Sequence, residues 1–245
     1  MRHAGTQEIV TERLLLRRLL PQDAEMMYEN WASDPEVTRF LRWEPHRNAL
    51  QTAGLLAAWA TLYPNPDYYQ WAIVEKATGQ VFGSISIFNA ALGAQEKKAA
   101  WPELDTSGGV WETGYCIGQK WWNQGFTTEA LKAVVDYWFR NTDSNWLCCC
   151  YAKENPASGR VMQKAGFAYH HDGIDHKFDG TPVECRYCLL TRWPMRKSSW
   201  TTLFPNSIDP WHPLIRRFAP PVPRSVAGAT SLSERGEFFP EGEGL

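Results

Sequence analysis

Apolar and polar positions change their period several times along this chain, and each change marks an element. Residues 9–18, IVTERLLLRR, read as a strand, and Pro21-Gln22-Asp23 then opens a helical stretch to Trp31 with Met26, Met27 and Trp31 near one face. Leu55, Leu56, Trp59 and Leu62 give residues 48–62 a helical stripe that the turn YPNPD ends. The period then becomes extended: residues 69–75 and 81–88 predict an antiparallel pair joined by the Gly79-containing loop 76–80.

Residues 89–109 are mostly small or charged and predict a long loop, the kind that often carries function. Beyond it the pattern predicts a strand at 110–117, a helix at 127–139, a strand at 146–152, a helix at 156–165 and strands at 167–174 and 183–191. That order predicts an α+β domain over residues 1–195, an α/β/α sandwich whose central sheet is mixed, mostly antiparallel, with helices on both faces. From residue 196 no apolar period survives and seven of the chain's 16 prolines crowd in, which predicts a Pro-rich, partly disordered tail over 196–245.

Composition removes several classes of function. Lys and Arg total 25 against 27 for Asp and Glu, a formal charge of −2, so no cationic surface awaits a nucleic acid. No apolar run reaches the 18 residues that span a membrane, and no secretory h-region follows Met1, so a cytoplasmic location is expected. Thirteen tryptophans predict thick aromatic packing rather than a stacking surface. The six cysteines, Cys116, Cys148, Cys149, Cys150, Cys185 and Cys188, fall in strand-like runs without disulfide or zinc spacing, and read as reduced, buried thiols with no metal implied.

Two segments carry candidate chemistry. In the first, the strand Trp111-Glu112-Thr113-Gly114-Tyr115-Cys116-Ile117 leads through Trp122-Asn123-Gln124-Gly125 into a helix anchored by Ala130, Leu131, Val134, Val135, Trp138 and Phe139. Unpaired amides at such a helix start, with the positive end of its dipole, suit an anion such as a pyrophosphate. Taken alone, the segment is equally an ordinary loop entering an ordinary helix. In the second, Asn155 suits an N-cap, Pro156 the first helical position and Gly166 the C′ site, which local capping explains without any function.

Together the two segments resemble the GNAT superfamily of N-acetyltransferases, especially its RimJ/RimL-like branch. The resemblance rests on Glu112-x-Gly114-Tyr115, on the turn from Trp122 to Thr127, and on Asn155-x-x-Ser158 continuing through Lys164-x-Gly166-Phe167; Thr11-Glu12-Arg13-Leu14-Leu15-Leu16-Arg17 looks like the family's opening strand. Trp122 stands where the family has Gln or Arg, and Thr127 where it has Gly or Ala. The resemblance implies acetyl-CoA as cosubstrate, with no metal. The amides of Gln124, Gly125, Thr127 and Thr128 would hold its pyrophosphate, the strand edge at Tyr115, Cys116 and Ile117 would pair with the pantetheine arm if splayed from its neighbour, and Asn155 and Ser158 would reach the arm near the thioester.

Acetyl transfer to an amine needs a base, a polarised carbonyl and a proton for the departing thiolate. Glu112 is the candidate base, the Ile117 N–H the donor to the oxyanion, and Ser158 the candidate acid, since Met162 occupies the position where many relatives carry a tyrosine. A surface or strand-edge Glu112 and a capping Ser158 are the plainer alternatives. His170 and His171, being adjacent, cannot share one face of a regular strand, and read as exposed. An α-amine has a reference pKa near 7.7–8.0 against about 10.4 for lysine, which favours a protein N-terminus or small primary amine over lysine, and the RimJ/RimL-like resemblance implies the peptide N-terminus as acceptor. A small amine such as an amino acid, polyamine or aminoglycoside-like antibiotic is the alternative, and a non-catalytic CoA-binding module is a third. The acceptor wall is expected from the helices of residues 23–62, the loop 89–109 and the loop 172–181. The protein is expected to act as a monomer or homodimer.

Overall fold

The computed structural model describes residues 1–192, so the tail expected from residue 196 lies outside the described residues. Eight strands, β1 (Ile9–Val10), β2 (Leu14–Arg17), β3 (Tyr69–Glu75), β4 (Val81–Asn89), β5 (Trp111–Ile117), β6 (Trp146–Ala152), β7 (Ala168–His176) and β8 (Pro182–Thr191), form one sheet in the order β1-β2-β3-β4-β5-β6-β8-β7. The helices are α1 (Ala24–Met27), α2 (Pro35–Thr38), α3 (Ala49–Ala60), α4 (Ala94–Ala100), α5 (Phe126–Asn141) and α6 (Pro156–Lys164).

All neighbouring strands run antiparallel except β5 and β6. A parallel pair needs a crossover, and α5 supplies it. Its stripe of Phe126, Ala130, Leu131, Val134, Val135 and Trp138 is buried against Leu14, Leu16, Trp71, Ile73, Leu147 and Cys149 of the sheet. Leu131 and Val134 are fully buried, and each such side chain stabilises the fold by about 1.5–3 kcal/mol. On the opposite face α1 and α3 cover Ala72, Val74 and Val81, while Trp101, just after α4, packs on Val110, Trp146, Cys148 and Leu189. The α/β/α sandwich is therefore the observed fold. Trp31, Trp71, Trp101 and Trp138 are buried in it, and the six cysteines are free, four of them buried.

Three elements depart from the pattern-based expectation. Residues 9–18 are two strands, because Thr11 and Arg13 turn the chain around the Glu129 carboxylate: the Thr11 hydroxyl donates to its Oε1 at 2.6 Å and the Arg13 amide at 2.9 Å. The helix from residue 21 loosens into a π-type turn, Tyr28–Ala32. The long loop contains α4, and Trp101 is driven inward by the apolar surface beneath it.

Candidate active site

Gly125 stands at the start of α5 with φ +83°, a left-handed conformation that suits glycine. No side chain caps this helix, so the amides of its first turn, including those of Thr127 and Thr128, have no partner within the helix. Arg13, expected within a strand, instead lies between β1 and β2 and holds the turn in place. Its guanidinium donates to the Gln124 carbonyl at 2.9 Å and to Glu129 at 2.7 Å, and lies 4.3 Å above the Phe126 ring. A cleft of about 380 Å³ opens here, lined by Thr11, Gly125, Thr128, Lys132 and Lys164 among others. Glu12 and Glu129 line it as well, the latter paired with Arg13, so the features that suit an anionic ligand are Lys132, Lys164 and the positive helix end.

Beside that turn the sheet opens. The backbone ladder between β5 and β6 consists of one pair, Glu112 with Cys148, so β5 beyond Glu112 has an edge free of strand pairing. Backbone groups of successive strand residues face opposite sides. The Gly118 amide donates to Phe82 on the β4 side, so with Gly83 opposite Ile117 the N–H and C=O groups of Tyr115 and Ile117 face the opening. The Ile117 carbonyl already accepts the Trp122 indole N–H at 2.9 Å, leaving its N–H facing the slot. Cys116 differs from its two neighbours: its backbone faces β4, and its thiol lies 3.5 Å from the Ser84 hydroxyl.

The start of α6 closes the far side of the slot. Asn155 caps the helix through its side-chain oxygen, which accepts the Ser158 amide at 3.2 Å, and Pro156 occupies the first turn as expected. The Tyr115 ring crosses from β5 so that its hydroxyl stands 2.9 Å from Ser158 Oγ and 3.1 Å from the Ser158 carbonyl. Burial pushes the phenol's pKa well up, so Tyr115 remains a neutral donor. Met162 is buried in the core and offers no proton. The sequence pointed to Tyr115 for its backbone; the placement of its hydroxyl is a tertiary fact.

Glu112 projects to the other face of the sheet and is only 6% exposed, which excludes a surface role. Burial raises its pKa, while the nearby Arg42 guanidinium and a hydrogen bond from Cys150 act in the opposite direction. The Cys150 Sγ lies 3.2 Å from Glu112 Oε1. Arg42 pairs with Asp175 of β7 at 2.8 Å, the Phe178 amide donates to the Arg42 carbonyl at 2.8 Å, and Lys177 pairs with Glu44 at 3.3 Å. The segment around Arg42 and the β7–β8 hairpin thus meet over this face. Residues from the expected helical and 172–181 regions do converge here. Arg42, Asp175 and Cys150 had no motif, because three separated segments bring them to Glu112 on a fourth.

The histidines require a correction. A β-bulge between Tyr169 and His171 breaks the alternation that would have separated neighbours. Both rings contact Trp101, at 4.6 and 5.0 Å, and their Nδ1 atoms are 2.6 Å apart. His170 also contacts Glu103 at 2.5 Å. Both are mostly buried, and desolvation lowers the His171 pKa to about 4, which keeps it neutral.

Comparison with known proteins identifies the family. A family described as "Acetyltransferase (GNAT) domain" matches residues 13–168. The uncharacterized N-acetyltransferase YoaA of Bacillus subtilis (strain 168) is 28% identical over 177 residues, covering 71% of this chain and 90% of that protein. The uncharacterized N-acetyltransferase p20 of Bacillus licheniformis is 27% identical over 161 residues, covering 66% and 82%. Among solved structures, the ribosomal-protein-S5-alanine acetyltransferase of Vibrio fischeri superposes with a TM-score of 0.58 at 15% identity, covering 77% of this chain and all of that one. The microcin C7 self-immunity acetyltransferase MccE, solved with acetyl-CoA and AMP, gives 0.59 at 13% identity, covering 74% and 93%. No helix among the described residues is long and apolar enough to cross a membrane. The chain belongs to the GNAT acetyltransferase family and is an acetyl-CoA-dependent N-acetyltransferase.

Proposed function

We propose that the acceptor is the α-amine of a peptide or protein N-terminus, and that Glu112 and Ser158 handle its chemistry. The observation that supports this most directly is the buried Glu112 carboxylate on the strand whose free edge follows it. A carboxylate of raised pKa is matched to an α-amine, which gives up its proton near neutral pH.

In this reading the amides of Gln124, Gly125, Thr127 and Thr128 hold the pyrophosphate, with Arg13 fixing the turn. Tyr115 and Ile117 pair with the arm through their backbones, Cys116 contributes strand pairing behind them, and Asn155 and Ser158 meet the arm from α6. The thioester of acetyl-CoA supplies the activated acyl group. Glu112 takes the proton of the attacking amine, the Ile117 N–H donates to the oxygen that becomes negative, and Ser158 Oγ–H protonates the departing sulfur, supported by Tyr115. Base and acid stand on opposite faces of the sheet, so amine and thiol use opposite sides of one opening.

The contacts joining Arg42 to Asp175 and Phe178 favour a second reading, a small amine, because they narrow the approach to Glu112. Acetyl-CoA turnover with a panel of short peptides and of small amines, with products identified by mass spectrometry, separates the two. Turnover on small amines alone would overturn the peptide reading, and thiol release independent of any amine would overturn both.

A further inference from the structure

We propose that Cys150, Cys185 and Asp175, completed by Glu112, form a binding site for a soft divalent cation such as Zn²⁺, and that its occupancy arrests acetyl transfer. Adjacent strands of the sheet, β5, β6, β8 and β7, each place one donor on the same face. The two sulfurs and a carboxylate oxygen of Asp175 lie within 4.8 Å of one another. Glu112 Oε1 is 3.2 Å from the Cys150 sulfur.

A tetrahedral zinc ion with bonds of about 2.0–2.3 Å places its ligand atoms roughly 3.3–3.8 Å apart. Cys150, Cys185 and Asp175 therefore close around an ion through side-chain movements of about 1 Å, and Glu112, beside the Cys150 sulfur, turns in toward the other two donors as the fourth ligand. Two thiols and two carboxylates are a donor set that prefers zinc to magnesium or calcium, which favour oxygen alone. Arg42, bonded to Asp175 at 2.8 and 3.0 Å, is the outer partner that orients a ligating carboxylate and offsets part of the site's negative charge.

Binding replaces the two thiol protons by two metal–sulfur bonds, so two protons leave per ion and nothing is oxidised or reduced. Coordination to a divalent cation lowers the proton affinity of the Glu112 carboxylate, so it no longer serves as base for an amine. This consequence rests on the role proposed for Glu112, whereas the coordination itself does not.

The test uses the full chain without a polyhistidine tag, stripped by a chelator. Titration with Co²⁺ should give a thiolate-to-metal charge-transfer band saturating at one ion per chain, and Zn²⁺ should displace it. Cys185→Ser and Asp175→Asn, each checked for folding by circular dichroism, should bind at least about 100-fold more weakly, beyond the 10- to 100-fold typical of losing an outer partner. Absence of the band in the unmodified chain, or undiminished binding in both variants, overturns the site. Binding with unchanged acetylation overturns coordination by Glu112, while lack of acetylation in metal-free protein counts against the proposed base and not against the site.

Discussion

Arg42 Nη2 lies 2.8 Å from a carboxylate oxygen of Asp175, so a cation from the N-terminal helical region is fixed above β7, where its field also reaches Glu112. Positive charge favours the ionised carboxylate and partly offsets the effect of burial. Replacing Arg42 with alanine should move the acid limb of the kcat/KM profile to higher pH, because Glu112 would bind its proton more tightly and the free base would appear later. A limb that stays in place or moves toward acid counts against this coupling.

Glu112→Gln should lower kcat by about 10²- to 10⁴-fold, the usual contribution of a positioned base, with little change in CoA affinity by calorimetry. A stability signature accompanies it. A carboxyl whose folded pKa is raised favours the folded state at low pH, and that contribution is lost as pH rises through the folded value. The parent should therefore lose Tm relative to the Gln variant between acid and neutral pH; a constant difference would mean that the folded-state pKa of Glu112 is not raised.

Gly125→Ala places an alanine at φ +83°, which costs about 1–2 kcal/mol. The added carbon would meet Arg13 at 3.5 Å, an ordinary contact, so the conformational cost dominates. The turn should relax away from the left-handed conformation, lowering CoA affinity with a milder effect on kcat once saturated. Unaltered CoA affinity would remove the anion role from this turn.

Tyr115→Phe removes only the hydroxyl beside Ser158. If that hydroxyl supports the acid, kcat should fall by about tenfold or more, while Ser158→Ala should fall further, within the range of a lost general acid. In the double variant the losses should be less than additive, since the two groups act as a unit. Fully additive losses would separate Tyr115 from the proton path.

Strands and helices that obey one period over a full element were legible from sequence: β3 to β6 and α5 fall within about two residues of expectation. The local geometry of Gly125, Asn155 and Pro156 was legible too, because a left-handed turn and a helix cap are specified by a short segment. What escaped was tertiary. The pairing of Arg42 with Asp175 spans 133 residues, the bulge at His170 inserts one residue that no alternation announces, and Trp101 is buried only because the sheet beneath it is apolar.

The lone Glu112–Cys148 bridge leaves the two halves of the sheet joined by very little backbone hydrogen bonding at their centre. An arm that pairs along Tyr115 and Ile117 would act as a fastener as well as a reactant. The folded chain would then gain RT ln(1 + [L]/Kd), about 2.7 kcal/mol at a hundredfold excess over Kd. The lifetime of this protein in a cell would rise and fall with the supply of its acyl donor.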